Sequence, residues 1–569
     1  MLKNKSFFSK TRRISIIITV FLALFILTSH TPDYFEISKN LDIFNSVYRE
    51  LNVSYVDGTQ PGKLMKTGID AMLGSLDPYT VYYAENDIED YRFMTTGEYA
   101  GIGASVLDMD GKVIISDPFE GFAAFKAGIR AGDQIIGVNG IDIRGKKSDD
   151  VGKLLKGTPG TNITLKLIKP GQSEAQVISV NREEIKTKAV PYFGMLPDNE
   201  TGYIKLVSFT EVSAQQVKEA LNALKTNGCK RLVLDLRGNL GGLLNHAVDI
   251  VNYFVERDQE IVYTKGRSPE WDKPYKTVFA PIDTKIPLAV LVDENSASAS
   301  EIVSGSLQDL DRAVIIGKRT FGKGLVQQTK PIVYNAQVKI TVAKYYIPSG
   351  RCVQALDYSN KSDDGRVEKI PDSLITAFKT KGGRIVYDGA GIMPDIKTES
   401  EKPEEVLMSL VNNHHIFNYA TAYRLGHNEI AAPEEFKLTD AEYNDFLNFL
   451  KDKAFAYQTR QELELDEFKK GAEEDKGYEA IKPEMEALMN KIKNNKKDDL
   501  LEFKDEIKKF LEEEIVGRYN FEKGRIAYSL KHDADLNKAL EILKDENKTK
   551  EILTKIEKPS KPFNANKKF

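Results

Sequence analysis

The sequence predicts a multidomain α/β protein: an N-terminal helical segment, a β-rich domain, a mixed α/β core and a C-terminal helical region. Three observations predict this. The chain has 569 residues, more than one hydrophobic core takes up, so several domains are expected. Short continuous apolar runs, Leu232 to Leu236 and Leu288 to Val292, read as buried strands, each leading into a helical pattern near Leu243 and at Ala299 to Leu307. From Glu401 onward the chain becomes charge-dense, with apolar residues at helical spacing.

Residues 1–30 carry Lys3, Lys5, Lys10, Arg12 and Arg13 before the apolar run Ile14 to Leu27, the pattern of a signal peptide or membrane anchor for export across a bacterial-type inner membrane. No Ala-x-Ala site follows and no cysteine offers lipidation, which favours an uncleaved anchor with the bulk of the chain outside the cytoplasm. The run is short for a spanning helix, which keeps a cleaved signal open. Residues 35–96 read as helical, with Ile43, Val47, Leu51 and Tyr55 at four-residue spacing before the turn Leu76-Asp-Pro-Tyr-Thr80. Residues 97–184 show strand patterns at Val113 to Ile115, Gln134 to Val138 and Ile163 to Ile168. Asn139-Gly140 marks a hairpin, and short helices fall at Ala123 to Gly128 and Ser148 to Leu155. Residues 185–400 form the mixed core. Residues 401–556 read as a helical appendage in which Phe503, Ile507, Phe510 and Leu511 make an apolar stripe, suited to self-association or to a packed bundle. Residues 557–569 read as a disordered tail.

Chemistry concentrates in Asn295-Ser-Ala-Ser-Ala-Ser-Glu-Ile302 and Thr320-Phe-Gly-Lys-Gly-Leu-Val-Gln327. A serine hydroxyl is a weak nucleophile until a base takes its proton, and a lysine is that base only where desolvation lowers its pKa. Phe321, Gly322, Gly324, Leu325 and Val326 offer Lys323 such surroundings. Ser298 falls at a strand-to-helix turn, where its hydroxyl stands clear of the sheet and helix-start N–H groups, that of Ala299 among them, can face an oxyanion. Lys323 and Gln327 are four apart, so on a strand they share a face and Gln327 can hold the lysine amine. Turn logic alone does not choose among Ser296, Ser298 and Ser300.

These two segments resemble the catalytic region of the carboxyl-terminal processing peptidases, or tail-specific proteases, with their S-A-S-A-S-E and T-F-G-K-G-x-V-Q patterns. The resemblance implies Ser298 as nucleophile, Lys323 twenty-five residues further on as base, and Gln327 as the third member. Asp235-Leu-Arg-Gly-Asn-Leu-Gly-Gly242 resembles the family's D-L-R-x-N-x-G-G motif, with Leu240 where proline is frequent. It implies Gly242 and Ala299 as oxyanion N–H donors, while Asp235, Arg237 and Asn239 read as braces of the loop. The turn at 76–80 and the segments Ile340 to Arg351 and Gly391 to Ile396 extend the resemblance over residues 35 to 400. His246, the competing base, reads as a partly exposed helix histidine. With no His-Glu-x-x-His or Cys/His spacing, neither a metal nor a cofactor is expected. Cys229 and Cys352, beside β-type runs, read as buried free thiols, with a disulfide between them in an oxidising envelope compartment as the alternative.

Residues 97–184 resemble a PDZ domain, which implies capture of a chain end by strand addition. The terminal carboxylate would be held by the backbone of Gly101, Ile102, Gly103 and Ala104. The expected function is a serine endopeptidase cleaving exported or periplasmic proteins near their C-termini, itself periplasmic or anchored in the inner membrane. Its expected partners are protein or peptide substrates with accessible C-termini. Inner-membrane association and homo-oligomerisation stay open, and a net charge of −4 argues against nucleic acid. The alternative is a catalytically silent peptide-binding scaffold, against which the intact Ser298, Lys323 and Gln327 stand. An acyl transferase or amidase would have no use for the PDZ module.

Overall fold

The computed structural model describes residues 34–556, apart from 86–87, 362–366, 371, 400–402, 452, 454–456 and 496–497. The apolar run at 14–27 and the tail at 557–569 lie outside the described residues, among which no helix is long and apolar enough to cross a membrane. The chain divides into two compact units, residues 1–82 and 83–569.

In the first unit, helices Tyr34–Ser54 and Pro61–Gly74 contain no buried residue. The apolar positions Ile43, Val47, Leu51 and Tyr55 are exposed. Pro61 opens its helix where a missing N–H costs nothing. The expected turn at 76–80 is present, because the Asp77 carboxylate accepts from the backbone N–H groups of Tyr79 and Thr80, each at 2.8 Å.

The second unit begins with the PDZ-like domain. Its antiparallel sheet runs in the order Ala104–Met109, Lys112–Pro118, Gln134–Val138, Asn162–Ile168, Ala175–Asn181. Ile163, Leu165 and Leu167 are fully buried while the residues between them face outward, as strand alternation requires. Asn139 and Gly140 both take positive φ, 51° and 79°, which is the turn that matches strand twist. Short strands Glu98–Gly101 and Glu183–Lys186 pair antiparallel and bring the two ends of the domain together. Helix Ser148–Leu155 buries Val151 and Leu155 in the domain's core with Ile102.

The core is a six-stranded sheet in the order Tyr192–Met195, Thr201–Lys205, Arg231–Asp235, Leu288–Val292, Val314–Gly317, Ile396–Lys397. The first pair is antiparallel and the remaining neighbours are parallel. Parallel strands need long crossovers, so both faces of such a sheet are covered and its strands are apolar throughout. Leu232, Leu234, Leu288, Val290 and Val292 face helices Ser213–Thr226, Leu244–Asn252 and Ala299–Asp309. Val233, Ala289, Leu291, Val314 and Ile316 face the opposite way, onto Leu536, Ala539, Ile542 and Leu543 of helix Ala534–Lys544.

The C-terminal region is therefore not an appendage. One of its helices closes the second face of the core sheet, and the stripe at Phe503, Ile507, Phe510 and Leu511 packs into the region's own core, with Ile507 and Leu511 fully buried. A separate antiparallel sheet carries Leu325–Pro331, Gln337–Tyr346, Glu260–Gly266 and Lys273–Lys276. Lys323 lies in the loop before the first of these strands, and a bulge separates Val326 from Gln327. This corrects the expectation that Lys323 and Gln327 share one strand face.

Candidate active site

Ser298 follows the fully buried strand Leu288–Val292 and starts helix Ala299–Asp309. Its backbone stands at φ 56° and ψ −111°, outside the regions an L-residue ordinarily occupies, so the turn stores strain that neighbouring bonds must hold. Gly241 lets the glycine loop lie against this turn. A Cβ there would sit 2.8 Å from Cβ of Ser298 and 2.7 Å from the Ala297 carbonyl oxygen.

Hydroxyl commitments separate the three candidate serines. Ser296 Oγ donates to the Leu236 carbonyl at 2.9 Å and accepts from the Asp293 N–H at 3.0 Å. Ser300 Oγ donates to the Asn239 carbonyl at 2.8 Å. Both residues are fully buried. Ser298 is half-buried; its side chain faces the backbone N–H of Glu301 in a capping box, and among the described residues its hydroxyl donates to no protein acceptor. Ser296 and Ser300 thus tie the turn to the glycine loop, while Ser298 keeps its proton for another partner.

Glu301 joins the serine turn to the lysine loop. Its fully buried carboxylate accepts from Ser298 N and Lys323 N through Oε2, each at 2.8 Å, and from Thr320 Oγ1 at 2.6 Å and Gly322 N at 2.8 Å through Oε1. The two backbone nitrogens bound to Oε2 are therefore no further apart than twice that distance. Burial pushes the carboxyl up to about 7, against the pull of these donors. From the other side, the Tyr345 hydroxyl lies 2.7 Å from the Lys323 carbonyl and 3.1 Å from the Ser298 carbonyl. Lys323 itself is half-buried; Gly322, Gly324 and Leu325 beside it are buried, but Phe321 is exposed. Gln327 donates to Thr341 Oγ1 at 3.2 Å.

The glycine loop is braced as expected. Asn239 Nδ2 donates to the Leu206 carbonyl and its Oδ1 accepts from Gly241 N, both at 2.9 Å. Asp235 is buried, which alone would raise its pKa, yet the charges of Arg237 and Lys205 hold it down at about 2. Arg237 continues outward to Asp533, and to Asp535 at 3.0 Å, at the start of the helix that closes the core sheet. Among the described residues, the N–H groups of Gly242 and Ala299 donate to no protein acceptor. His246 lies on the following helix, 3.8 Å from Asp249. Cys229 and Cys352 are free and half-buried rather than fully buried, and burial pushes the Cys352 thiol up to about 11.

At the PDZ-like domain, Gly103 has φ 73°, and a Cβ on it would fall 2.4 Å from Cβ of Phe122. Among the described residues the N–H groups of Ile102 and Gly103 have no protein acceptor. The loop opens strand Ala104–Met109, the edge of the sheet, beside helix Ser148–Leu155, whose Ser148 Oγ donates to Asp108 at 2.9 Å.

Residues 200–358 match the model of peptidase family S41, residues 92–168 that of the PDZ domain, and residues 406–543 that of the probable PDZ-protease C-terminal helical domain. A carboxy-terminal-processing protease of Bartonella bacilliformis is 35% identical over 56% of this chain and 73% of its own length. The chain belongs to peptidase family S41. The carboxy-terminal processing protease CtpA of Bacillus subtilis is 34% identical over 55% of this chain and 67% of its own. A solved photosystem II D1 C-terminal processing protease aligns at 26% identity over 66% of this chain and 96% of that one, with a TM-score of 0.35. As an S41 member the chain is a serine peptidase of the carboxy-terminal-processing type that carries a PDZ domain.

Sequence reasoning missed two parts of this S41 site. Glu301 had a signal, since Ser298-Ala-Ser-Glu301 is the S-x-x-E pattern of a helix start whose acidic side chain reaches back to the first N–H. Tyr345 had none, because its partners lie on other elements of the fold.

Proposed function

We propose that this S41 peptidase cleaves exported proteins near their C-termini through acylation of Ser298, with Lys323 as general base. The observation that carries the reading is the hydroxyl proton of Ser298, given to no protein acceptor among the described residues where those of Ser296 and Ser300 are engaged, on a turn bound to the Lys323 loop through one carboxylate. Neutral Lys323 takes the Oγ proton as the oxygen attacks the scissile carbonyl carbon. The resulting oxyanion accepts from the N–H groups of Gly242 and Ala299. The lysine then returns its proton to the leaving amine, and water hydrolyses the acyl-enzyme by the reverse route. Gln327, engaged with Thr341, acts as a positioning residue on the strand that follows the lysine loop. The PDZ loop Gly101 to Ala104 receives the free carboxylate of a substrate tail that adds to strand Ala104–Met109. The basic and apolar residues at 3–27 support export to the periplasm or anchoring in the inner membrane.

Cleavage of an unfolded model substrate tests the assignment. Ser298→Ala is expected to lose about 10⁴-fold or more in kcat, and Lys323→Arg, which keeps the charge but cannot deprotonate, to be equally inactive. Substantial activity in Lys323→Arg would reopen His246 as the base.

A further inference from the structure

Between the PDZ domain and the C-terminal helices lies a cleft of about 770 Å³, the size of a small-molecule site. None of its lining residues belongs to the catalytic loops or to Gly101–Ala104. Its walls carry cations without a counter-ion. Arg130, from the PDZ domain, spends Nη1 on the carbonyls of Phe125 and Ile129 and lies over the Phe125 ring at 4.4 Å. Arg424, from helix His415–Gly426, donates to the His427 carbonyl at 3.0 Å and lies over the Tyr519 ring at 4.4 Å. Among the described residues neither guanidinium has a carboxylate within ion-pair distance.

The carboxylates of the cleft are engaged elsewhere or exposed. Asp133 pairs with Lys169 at 2.6 Å and accepts from Arg130 N through Oδ2, while its buried Oδ1 has no hydrogen-bond partner; Asp117 pairs with Arg525 at 2.8 Å, and Glu429 is exposed. Arg518 is deeper, its side chain 4% exposed; it pairs with Glu514 at 2.7 Å, and its Nε finds no hydrogen-bond partner. Two like charges from different domains repel, and Arg130 is lowered by its burial and by the charge of Arg424, against the opposing charge of Asp133. An anion between them removes that repulsion, and the planar guanidinium fork suits a carboxylate or phosphate.

Aromatic rings line the same cleft. Phe125 and Phe521 meet edge to face at 5.2 Å and join its two walls. Phe521 holds φ 55° and ψ −158° at the kink between two helical segments, strain that a non-glycine residue keeps only where its surroundings enforce it. We propose that this cleft binds a small anionic ligand, a carboxylate or phosphate group on an aromatic or apolar body. The anion lies between Arg130 and Arg424, and the body against Phe125, Tyr519 and Phe521.

The test is calorimetric titration of the full chain with phenyl phosphate, with N-acetyl-phenylalanine and with uncharged benzyl alcohol. At least one anion should bind saturably and benzyl alcohol should not. Binding by phenyl phosphate alone identifies a phosphate ester as the ligand class, and binding by the amino acid alone identifies a carboxylate. Arg130→Gln and Arg424→Gln, both at positions that keep solvent contact, should each weaken binding about ten- to a hundred-fold. Arg424→Lys should fall between, and Arg144→Gln, on the same PDZ domain but outside the cleft, should bind like the parent. Failure of both anions to bind, or equal binding by the Arg130→Gln/Arg424→Gln double variant, overturns the proposal.

Discussion

At the scale of single residues, Glu301 decides whether the serine turn and the lysine loop stay together. Its four donors leave no room for a proton on either oxygen, so the arrangement requires the anion, although burial favours the neutral acid. The two demands oppose each other in pH. With a folded value of about 7 against an ordinary 4.5, the group's contribution to stability is full below 4.5 and is lost as pH rises through about 7. Activity runs the other way and should fall as pH drops through about 7, when protonation displaces a donor. In Glu301→Gln the amide turns N–H toward N–H, at a cost of about 1–3 kcal/mol for each donor left unsatisfied. We expect kcat to drop about a hundred-fold and the Glu301 limb to vanish from the residual pH profile. A variant with the parent's acid limb would assign that limb to another group.

At the scale of elements, the strands of the core sheet were legible because both their faces are buried, which leaves unbroken apolar runs at Leu232 to Leu236 and Leu288 to Val292. The strand Ala175–Asn181 was not, since it is an edge strand whose residues are mostly exposed, so no buried apolar run marks it. The face that helix Ala534–Lys544 covers was equally hidden, because an amphipathic pattern reports that a helix has a buried side and not what buries it. Ser298 could be placed at a strand-to-helix turn, but not its positive φ or the close approach of Gly241 to that turn. Gln327 was misplaced by a bulge that no residue type announces. The docking of the last helix carries a testable consequence. Leu536 is 1% exposed against the core sheet, so Leu536→Ala should lower unfolding stability by about 2–5 kcal/mol, read as an earlier urea midpoint at unchanged slope. A midpoint that does not move would show the helix to be dispensable to the core.

At the scale of the whole molecule, the chain joins a PDZ domain to a serine peptidase core, and the proposed tail reading predicts selection by the free end. Two unfolded substrates differing only in an apolar free C-terminus or the same tail amidated should differ about ten- to a hundred-fold in kcat/KM, through loss of one charge-assisted contact. Gly103→Ala should abolish the difference without touching the serine, since its Cβ would collide with Phe122 and close the loop. Equal cleavage of both tails by the parent protein would assign the domain another task.

The central claim is that Ser298, activated by Lys323, carries the chemistry, and mapping a covalent adduct tests it most directly. After reaction with a serine-directed fluorophosphonate, peptide mass analysis should find the label on Ser298 and find it lost in Lys323→Ala. Label on Ser296 or Ser300, or undiminished label on Ser298 without the lysine, would contradict the account.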